Sequence, residues 1–361
     1  MKKLVITGGH AGTTALATIE AFGDRKDASE WEIHWIGPKY AMEGAKSRSL
    51  EIKVLPGMGV SCHPIVSGKI QSKFTRHTIG AILRIPVGFL HAFYLIVKIR
   101  PNVILSFGGY AGFPVVFSGW LLGKPVIIHE QIVAAGLGNR LSAPFATKIA
   151  VARASSMKYF PKNKVEVVGN PMMKKIAQIG PKLNVPSRPV IYFTGGSRGS
   201  RNINKIVEKS LPSLTKKYKV IHQVGELDWR KFKDIKIKNY ECFAFVDPME
   251  VYKIYEQCDL VIGRAGANTV SEVLAAGRPA IYIPIAWTRF DEQTKNAEYA
   301  ERVGMARIIK QDEFGTDRLM DEISSILDDW KSWSKAGKTK AATFDEKAAS
   351  TLVEMLLGVV R

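Results

Sequence analysis

LVIGRAGANTVSEVLAAGRPAIYIPIAWTRFDEQTKNA, from Leu260 to Ala297, opens on a short apolar run, Leu260–Ile262, that reads as a buried strand. Arg264-Ala-Gly-Ala turns the chain. Asn268-Thr-Val-Ser-Glu272 then starts a helix whose apolar residues recur at Val270, Val273 and Leu274. Gly277 and Pro279 stop that helix, and Ala280 to Pro284 reads as a second buried strand. Strand, turn, helix and strand make a βαβ unit, and such units place ligands at the carboxyl ends of their strands. Glu272 falls one turn into the helix, where a lone carboxylate can accept two hydrogen bonds from a vicinal diol such as a ribose. The competing reading is that Ser271 and Glu272 only cap the helix.

At 361 residues the chain is too long for one ordinary core, so two domains are expected. A hydrophobic content of 46% with mixed charges indicates a globular protein. Cys62, Cys242 and Cys258 lie far apart and form no metal-ligand spacing, which fits a reducing compartment. The apolar run of MKKLVITGGH is too short for a signal peptide and reads as a first strand. The formal charge of +19 is unevenly spread: Glu130 is the only acid between Glu51 and Glu166, among many lysines and arginines. Such a one-sided half meets something anionic. Interleaved aromatics are sparse and apolar content is high, so a membrane surface is expected rather than nucleic acid.

The first half repeats one pattern. Leu4 to Thr7, followed by Gly-Gly-His10-Ala-Gly12-Thr13, reads as strand, glycine turn and helix start, with the helix continuing through Ala15–Phe22. Backbone amides on such a turn can approach an anion, and His10 would sit at the mouth of the sheet or serve structurally. Trp31–Gly37 reads as the second strand and Glu51–Pro56 as the third. Thr78–Val97 is about long enough to cross a bilayer but contains Arg84, which would be costly at its middle. Helices packed on a sheet explain the run better, with Ile82, Leu83, Phe89, Phe93 and Leu95 as a partly exposed patch. Basic residues over about 69–100 would hold that patch on an anionic membrane. Phe107-Gly108-Gly109-Tyr110 is a second glycine turn after a strand. Glu130 ends the strand Lys124–Gln131, where it would either serve ligand chemistry or pair with a lysine. Lys148–Ala152 and Val165–Gly169 finish this half, and Asn170-Pro171 leads into the linker.

The second half restarts at Pro189–Thr194, whose turn, Gly195-Gly196-Ser197-Arg198-Gly199, suits a diphosphate. It lacks the P-loop pattern. Val220–Val224 and Tyr240–Val246 read as strands and Met249–Gln257 as a helix. Glycine loops at strand ends in both halves imply two facing Rossmann-like domains with a cleft between them. No carboxylate cluster or His/Cys set suggests a metal, so helix ends and basic side chains would stabilise a leaving phosphate.

In order along the chain, these motifs resemble the membrane-associated UDP-GlcNAc transferases of the MurG type nearly end to end. The resemblance is carried by Ser106-Phe-Gly-Gly-Tyr-Ala-Gly-Phe-Pro114, His129-Glu-Gln…Asn139-Arg140, Gly169-Asn-Pro171, Gly195–Gly199, Arg264–Glu272 and Asp291-Glu-Gln293-Thr-Lys-Asn296-Ala297. It implies an α/β fold of the GT-B kind, with an acceptor and membrane domain at 1–168 and a UDP-sugar domain at 169–340. A C-terminal helix within 341–361 would return to the first domain. It implies inverting, cofactor-free and metal-free transfer of GlcNAc from UDP-GlcNAc to a lipid-pyrophosphate-linked MurNAc-peptide, at the cytoplasmic face of the plasma membrane.

By the same resemblance, Gly195, Gly196, Ser197, Arg198 and Gly199 would hold the diphosphate, with Phe245 and Val246 beside the uracil. Arg264, Gly266, Ala267 and Thr269, with Gln293 and Asn296, would line the rest of the donor, and Glu272 would take the ribose. Gly9, Gly12, Thr13, Gly108, Gly109, Tyr110 and Asn139 would face the acceptor. His10 would be the general base; Glu130, at its strand end, is the other candidate catalytic residue. Several positions depart from the family pattern: the first glycine loop is short, Ile132 replaces an Asn, Met173 an Arg, and Arg198 a Gln. The acceptor side is the more altered, which leaves open a different lipid-linked envelope sugar of the pseudomurein kind. A non-hydrolysing UDP-GlcNAc 2-epimerase and an inactive membrane-bound partner of envelope enzymes are the further alternatives.

Overall fold

The computed structural model describes residues 1–9, 12–40, 48–66, 68, 78–196, 199–285, 289–336 and 345–360. The chain divides into two units, Met1–Met173 with Lys347–Arg361, and Lys174–Glu346. The first unit therefore runs on through Asn170-Pro171. Asn170, Met172 and Met173 are buried, and the His129 ring donates from Nε2 to the Gly169 carbonyl at 2.8 Å.

The first unit's strands are β1 (Lys2–Thr7), β2 (Trp31–Gly37), β3 (Ser61–Pro64), β4 (Val103–Ser106), β5 (Val126–Glu130), β6 (Lys148–Val151) and β7 (Val165–Val167). They form one sheet in the order β3-β2-β1-β4-β5-β6-β7, with every pair parallel. β4 and β5 are buried along their whole length, as inner strands of a parallel sheet covered on both faces must be. The second unit has β8 (Val190–Thr194), β9 (Lys219–Gln223), β10 (Tyr240–Phe243), β11 (Leu260–Gly263), β12 (Ala280–Tyr282) and β13 (Ala306–Ile308). Their order is β10-β9-β8-β11-β12-β13, again all parallel. In each sheet the strand order reverses direction once, between β1 and β4 and between β8 and β11. Open α/β sheets bind ligands at such points.

The third strand differs from expectation. Leu50–Val54 is a short helix, started by Ser49, whose hydroxyl accepts from the Ile52 amide at 3.4 Å, and the strand is Ser61–Pro64 instead. The helix Thr78–Ile99 is continuous through Pro86. Its inner face, Ala92, Leu95, Ile96 and Ile99, joins the core with Val5, Ile104 and Val115. Leu95 is thus a core residue rather than part of the exposed patch, and the side chain of Ile82 lies outside the described residues. Leu83, Val87, Leu90, Tyr94 and Val97 form the outward stripe, at alternating spacings of four and three, and Arg84 is also exposed. Phe89 packs edge-on against Phe113 and Phe117, on the helix Gly109–Leu121. Among the described residues no helix is long and apolar enough to cross a membrane. The C-terminal helix Ala348–Gly358 packs on the helix Gly12–Gly23 of the first unit, burying Leu352, Val353 and Leu356.

Candidate active site

In the first unit, the glycine turns after β1 and β4 lie against each other. The Gly9 amide donates to the Gly108 carbonyl at 2.9 Å, and the Phe107 amide to the Thr7 carbonyl at 2.8 Å. Gly109 has φ +80°, and a Cβ there would stand 2.8 Å from the Cα and N of Gly9. No other residue fits this position without moving the facing strand. A Cβ on Gly138 would come within 2.8 Å of the Gly109 carbonyl oxygen, so a third segment closes over the same point. Tyr110 is half-buried beside Gly9.

Glu130 and Asn139 hold that third segment. Glu130, 4% exposed, accepts at Oε1 from the Ile132 amide (3.0 Å) and at Oε2 from the Gly136 amide (2.8 Å) and Asn139 Nδ2 (3.0 Å). Asn139 also donates to the His129 carbonyl at 3.0 Å, and its Oδ1 stands against Gly108. Burial raises the Glu130 carboxyl above the usual range, and these hydrogen bonds pull it partly back. Both Glu130 oxygens accept hydrogen bonds from its own loop.

Gly12 begins its helix with φ +50°, and its amide donates to Glu51 Oε1 at 3.0 Å. Glu51 is buried on the short helix Leu50–Val54 and so ties that helix to the first glycine turn. The Thr13 hydroxyl is buried without a hydrogen-bond partner among the described residues. His10, Ser197 and Arg198 lie outside the described residues.

In the second unit, the turn after β8 is drawn tight by the Gly199 amide donating to the Gly196 carbonyl at 3.0 Å. Gly196 and Gly199 have φ of +74° and +73°, and a Cβ on Gly199 would collide with the Val224 carbonyl. Thr194 Oγ1 accepts from the Gly196 amide at 2.9 Å and donates to Gln223 Oε1 at 2.9 Å. The helix Arg201–Lys217 starts immediately after this turn, directing its first amides to the strand ends.

The turn after β11 opens the helix Ala267–Ala275, with Gly266 extended ahead of it and Ala267 and Thr269 half-buried. Gln293 and Asn296, from the helix Glu292–Arg302, secure the neighbouring loops. Gln293 Oε1 accepts from the Ile285 amide (3.1 Å), and Asn296 Nδ2 donates to the Ala265 carbonyl (3.1 Å). Arg264 is buried. It donates to Ser200 Oγ (3.1 Å), the Ile283 carbonyl (2.7 Å) and Gln311 Oε1 (2.7 Å), and burial pulls its pKa down to about 10. It ties the turn after β11 to Ser200 and to the segments that follow β12 and β13. Glu272, 6% exposed, accepts at Oε2 from the Tyr255 phenol at 3.0 Å. Phe245 and Val246 follow β10 half-buried, at the same end of the parallel sheet. Helix starts for an anion and a buried carboxylate for a diol thus share one edge of the second unit.

The chain matches the glycosyltransferase family 28 N-terminal domain over residues 5–151 and the family 28 C-terminal domain over residues 190–352. It is similar to the UDP-N-acetylglucosamine–N-acetylmuramyl-(pentapeptide) pyrophosphoryl-undecaprenol N-acetylglucosamine transferase 2 of Bacillus cereus. That similarity is 31% identity over 336 residues, covering 90% of this chain and 92% of the relative. The transferase of the same name, without the final numeral, from Legionella pneumophila is 31% identical over 350 residues, covering 93% and 92%. The crystal structure of Acinetobacter baumannii MurG superposes with a TM-score of 0.67 at 23% identity, over 99% of this chain and 100% of that one.

Proposed function

This chain belongs to the MurG-type family of UDP-GlcNAc transferases, and from that premise we propose that it moves GlcNAc from UDP-GlcNAc to a lipid-pyrophosphate-linked MurNAc-peptide. That is the step from lipid I to lipid II in peptidoglycan synthesis. The observation that carries the reading is the pair of glycine turns, one at the reversal point of each sheet. The second unit also holds a buried carboxylate, Glu272, and the first unit bears an exposed apolar helix face.

In the reaction, the acceptor 4-hydroxyl attacks C1 of GlcNAc and the bond from C1 to the UDP oxygen breaks, inverting the anomeric centre. The electron pair leaves with UDP. Helix-start amides around Gly195–Gly199 and Gly266–Thr269 stabilise the growing charge on the diphosphate. The hydroxyl proton passes to His10, next to Gly9, as the general base. Glu130 and Asn139 position the Gly108–Gly109 turn, Glu272 takes the ribose hydroxyls, and Phe245 and Val246 border the uracil. The stripe Leu83, Val87, Leu90, Tyr94 and Val97, with Lys98 and Arg100 at its end, docks the enzyme on the anionic cytoplasmic face of the plasma membrane.

The test is transfer of labelled GlcNAc from UDP-GlcNAc to lipid I in detergent with EDTA, for the wild type and His10→Ala. Wild-type transfer that survives EDTA and falls at least about a hundredfold in the variant supports donor, acceptor and base together. Binding of UDP-GlcNAc with lipid I left untouched overturns the acceptor and points to a different lipid-linked sugar. Conversion of UDP-GlcNAc without any acceptor points to epimerase chemistry.

A further inference from the structure

Three phenols are buried around Glu272; burial first, and the Glu272 charge in addition, holds each of their pKa values above the ordinary range. They are differently engaged. Tyr192 donates to Gln223 Oε1 at 2.7 Å, and the Tyr282 hydroxyl has no hydrogen-bond partner among the described residues. Tyr255 donates to Glu272 Oε2 at 3.0 Å. Tyr255 lies on the helix Val251–Gln257, and its ring meets that of Tyr192 edge-on at 6.1 Å. Its backbone is fixed as well. Arg278, 2% exposed, donates from Nε to the Tyr255 carbonyl (2.9 Å) and from Nη1 to the Ala276 carbonyl (2.6 Å) and the Gly180 carbonyl (2.9 Å). One guanidinium therefore ties the end of the Tyr255 helix to the end of the Glu272 helix.

We propose that Tyr255 is a positioning residue that gives the nucleotide site its preference for ribose over deoxyribose, by fixing the plane of the Glu272 carboxylate. The proposal rests on the reading that Glu272 takes the ribose hydroxyls. A vicinal diol needs two acceptor lone pairs presented in one plane, and a glutamate held only by its own torsions can turn its carboxylate about the terminal bond. A phenol anchored at both backbone and ring removes that freedom at Oε2. Losing it would weaken recognition of the second hydroxyl far more than it would weaken binding of the base or phosphates.

The experiment measures dissociation constants for UDP and 2′-deoxy-UDP with the wild type, Tyr255→Phe, Tyr282→Phe and Glu272→Gln. Wild type should prefer UDP by about tenfold or more, as expected for a hydrogen bond to a charged group. Tyr255→Phe should shrink that preference to about threefold or less, because the same bond is no longer held in plane. Tyr282→Phe, which deletes a phenol from the same surroundings, should keep the wild-type ratio. A purely structural role for Tyr255 would weaken both nucleotides equally and leave the ratio unchanged, overturning the proposal. If Glu272→Gln abolishes the preference while Tyr255→Phe retains it, the proposal fails and the ribose reading stands. If Glu272→Gln keeps the wild-type ratio, the ribose reading itself has failed. Should Tyr255→Phe not fold, Tyr255→Met removes the same hydroxyl with a side chain that adapts to irregular core space.

Discussion

A carboxylate that accepts three hydrogen bonds from its own loop behaves differently on mutation from one that moves a proton. Glu130→Gln keeps the size of the side chain but turns one acceptor into a donor, facing either the Ile132 amide or the Gly136 amide and Asn139. The expected loss is about 1–3 kcal/mol of stability for a buried group left unsatisfied. Activity should fall mainly through a raised acceptor KM, since the Gly108–Gly109 turn loses its support. Thermal unfolding followed beside steady-state kinetics checks this. An unchanged melting temperature with kcat down about a hundredfold or more would return Glu130 to a chemical role. The sequence made Glu130 conspicuous, because it stands alone among basic residues at the end of a strand. It could not show the amides at positions 132 and 136 turning back to meet it. Arg264 is a parallel case: it is part of a donor-side motif, yet three of its nitrogens are spent on Ser200, Ile283 and Gln311, partners distant in sequence.

The same separation of roles holds for whole elements. On the helix Thr78–Ile99, Leu83 and Leu90 are 70% and 72% exposed, whereas Leu95 is 6% exposed and packed in the core. Leu83→Asp with Leu90→Asp should leave the melting temperature unchanged. It should lower binding to vesicles containing anionic lipid by about tenfold or more, given the apolar area and charge involved. Leu95→Ala should instead cost about 2–5 kcal/mol of stability while leaving the outward stripe intact. Vesicle sedimentation at two salt concentrations, with thermal unfolding of the same variants, separates the two effects. Equal binding by wild type and double variant would remove this helix from the membrane contact. The apolar period of this element was legible from sequence, but the side it turns outward was not, because nearly every position is apolar. Edge elements were the hardest to read. β3 is Ser-Cys-His-Pro, with one pairing neighbour and no apolar run, so the alternating Glu51-Ile-Lys-Val-Leu drew the strand assignment away from it. β13, three residues including Arg307, gave no usable periodicity.

Across the molecule, the two units share a plan that the repeated strand and glycine-turn pattern announced, and each also buries a histidine that the pattern did not single out. His129 in the first unit has its pKa pulled down to about 4 by burial, and His222 in the second to about 3 for the same reason. His222 is neutral and fully paired: the Tyr240 phenol donates to Nδ1 at 3.0 Å and Nε2 donates to Asn204 Oδ1 at 3.0 Å. Asn204 is oriented by donating to the Val224 carbonyl (2.9 Å) and Asp228 (2.8 Å). A second proton on the ring would put an N–H opposite a phenol that already donates. Unfolded, both histidines titrate near 6.5, so below that pH the unfolded chain binds protons that the folded chain refuses. Stability is therefore fully present above about pH 6.5 and falls as pH drops toward the folded values, by on the order of 3 kcal/mol for a single such histidine at pH 4. Within the first unit Glu130 acts in the opposite direction. Its raised carboxyl binds a proton more tightly when folded, so its contribution is greatest in acid and declines as pH rises. The second unit should therefore lose stability in acid through His222, as the first does through His129 and through His34 and His63, which burial also holds below the usual imidazole range. Thermal unfolding between pH 7.5 and 4.5, compared for wild type and His222→Gln, measures it. The variant should start less stable at neutral pH, with its melting temperature falling less over the same range. Parallel pH profiles for the two proteins would show that His222 is not what makes the second unit sensitive to acid.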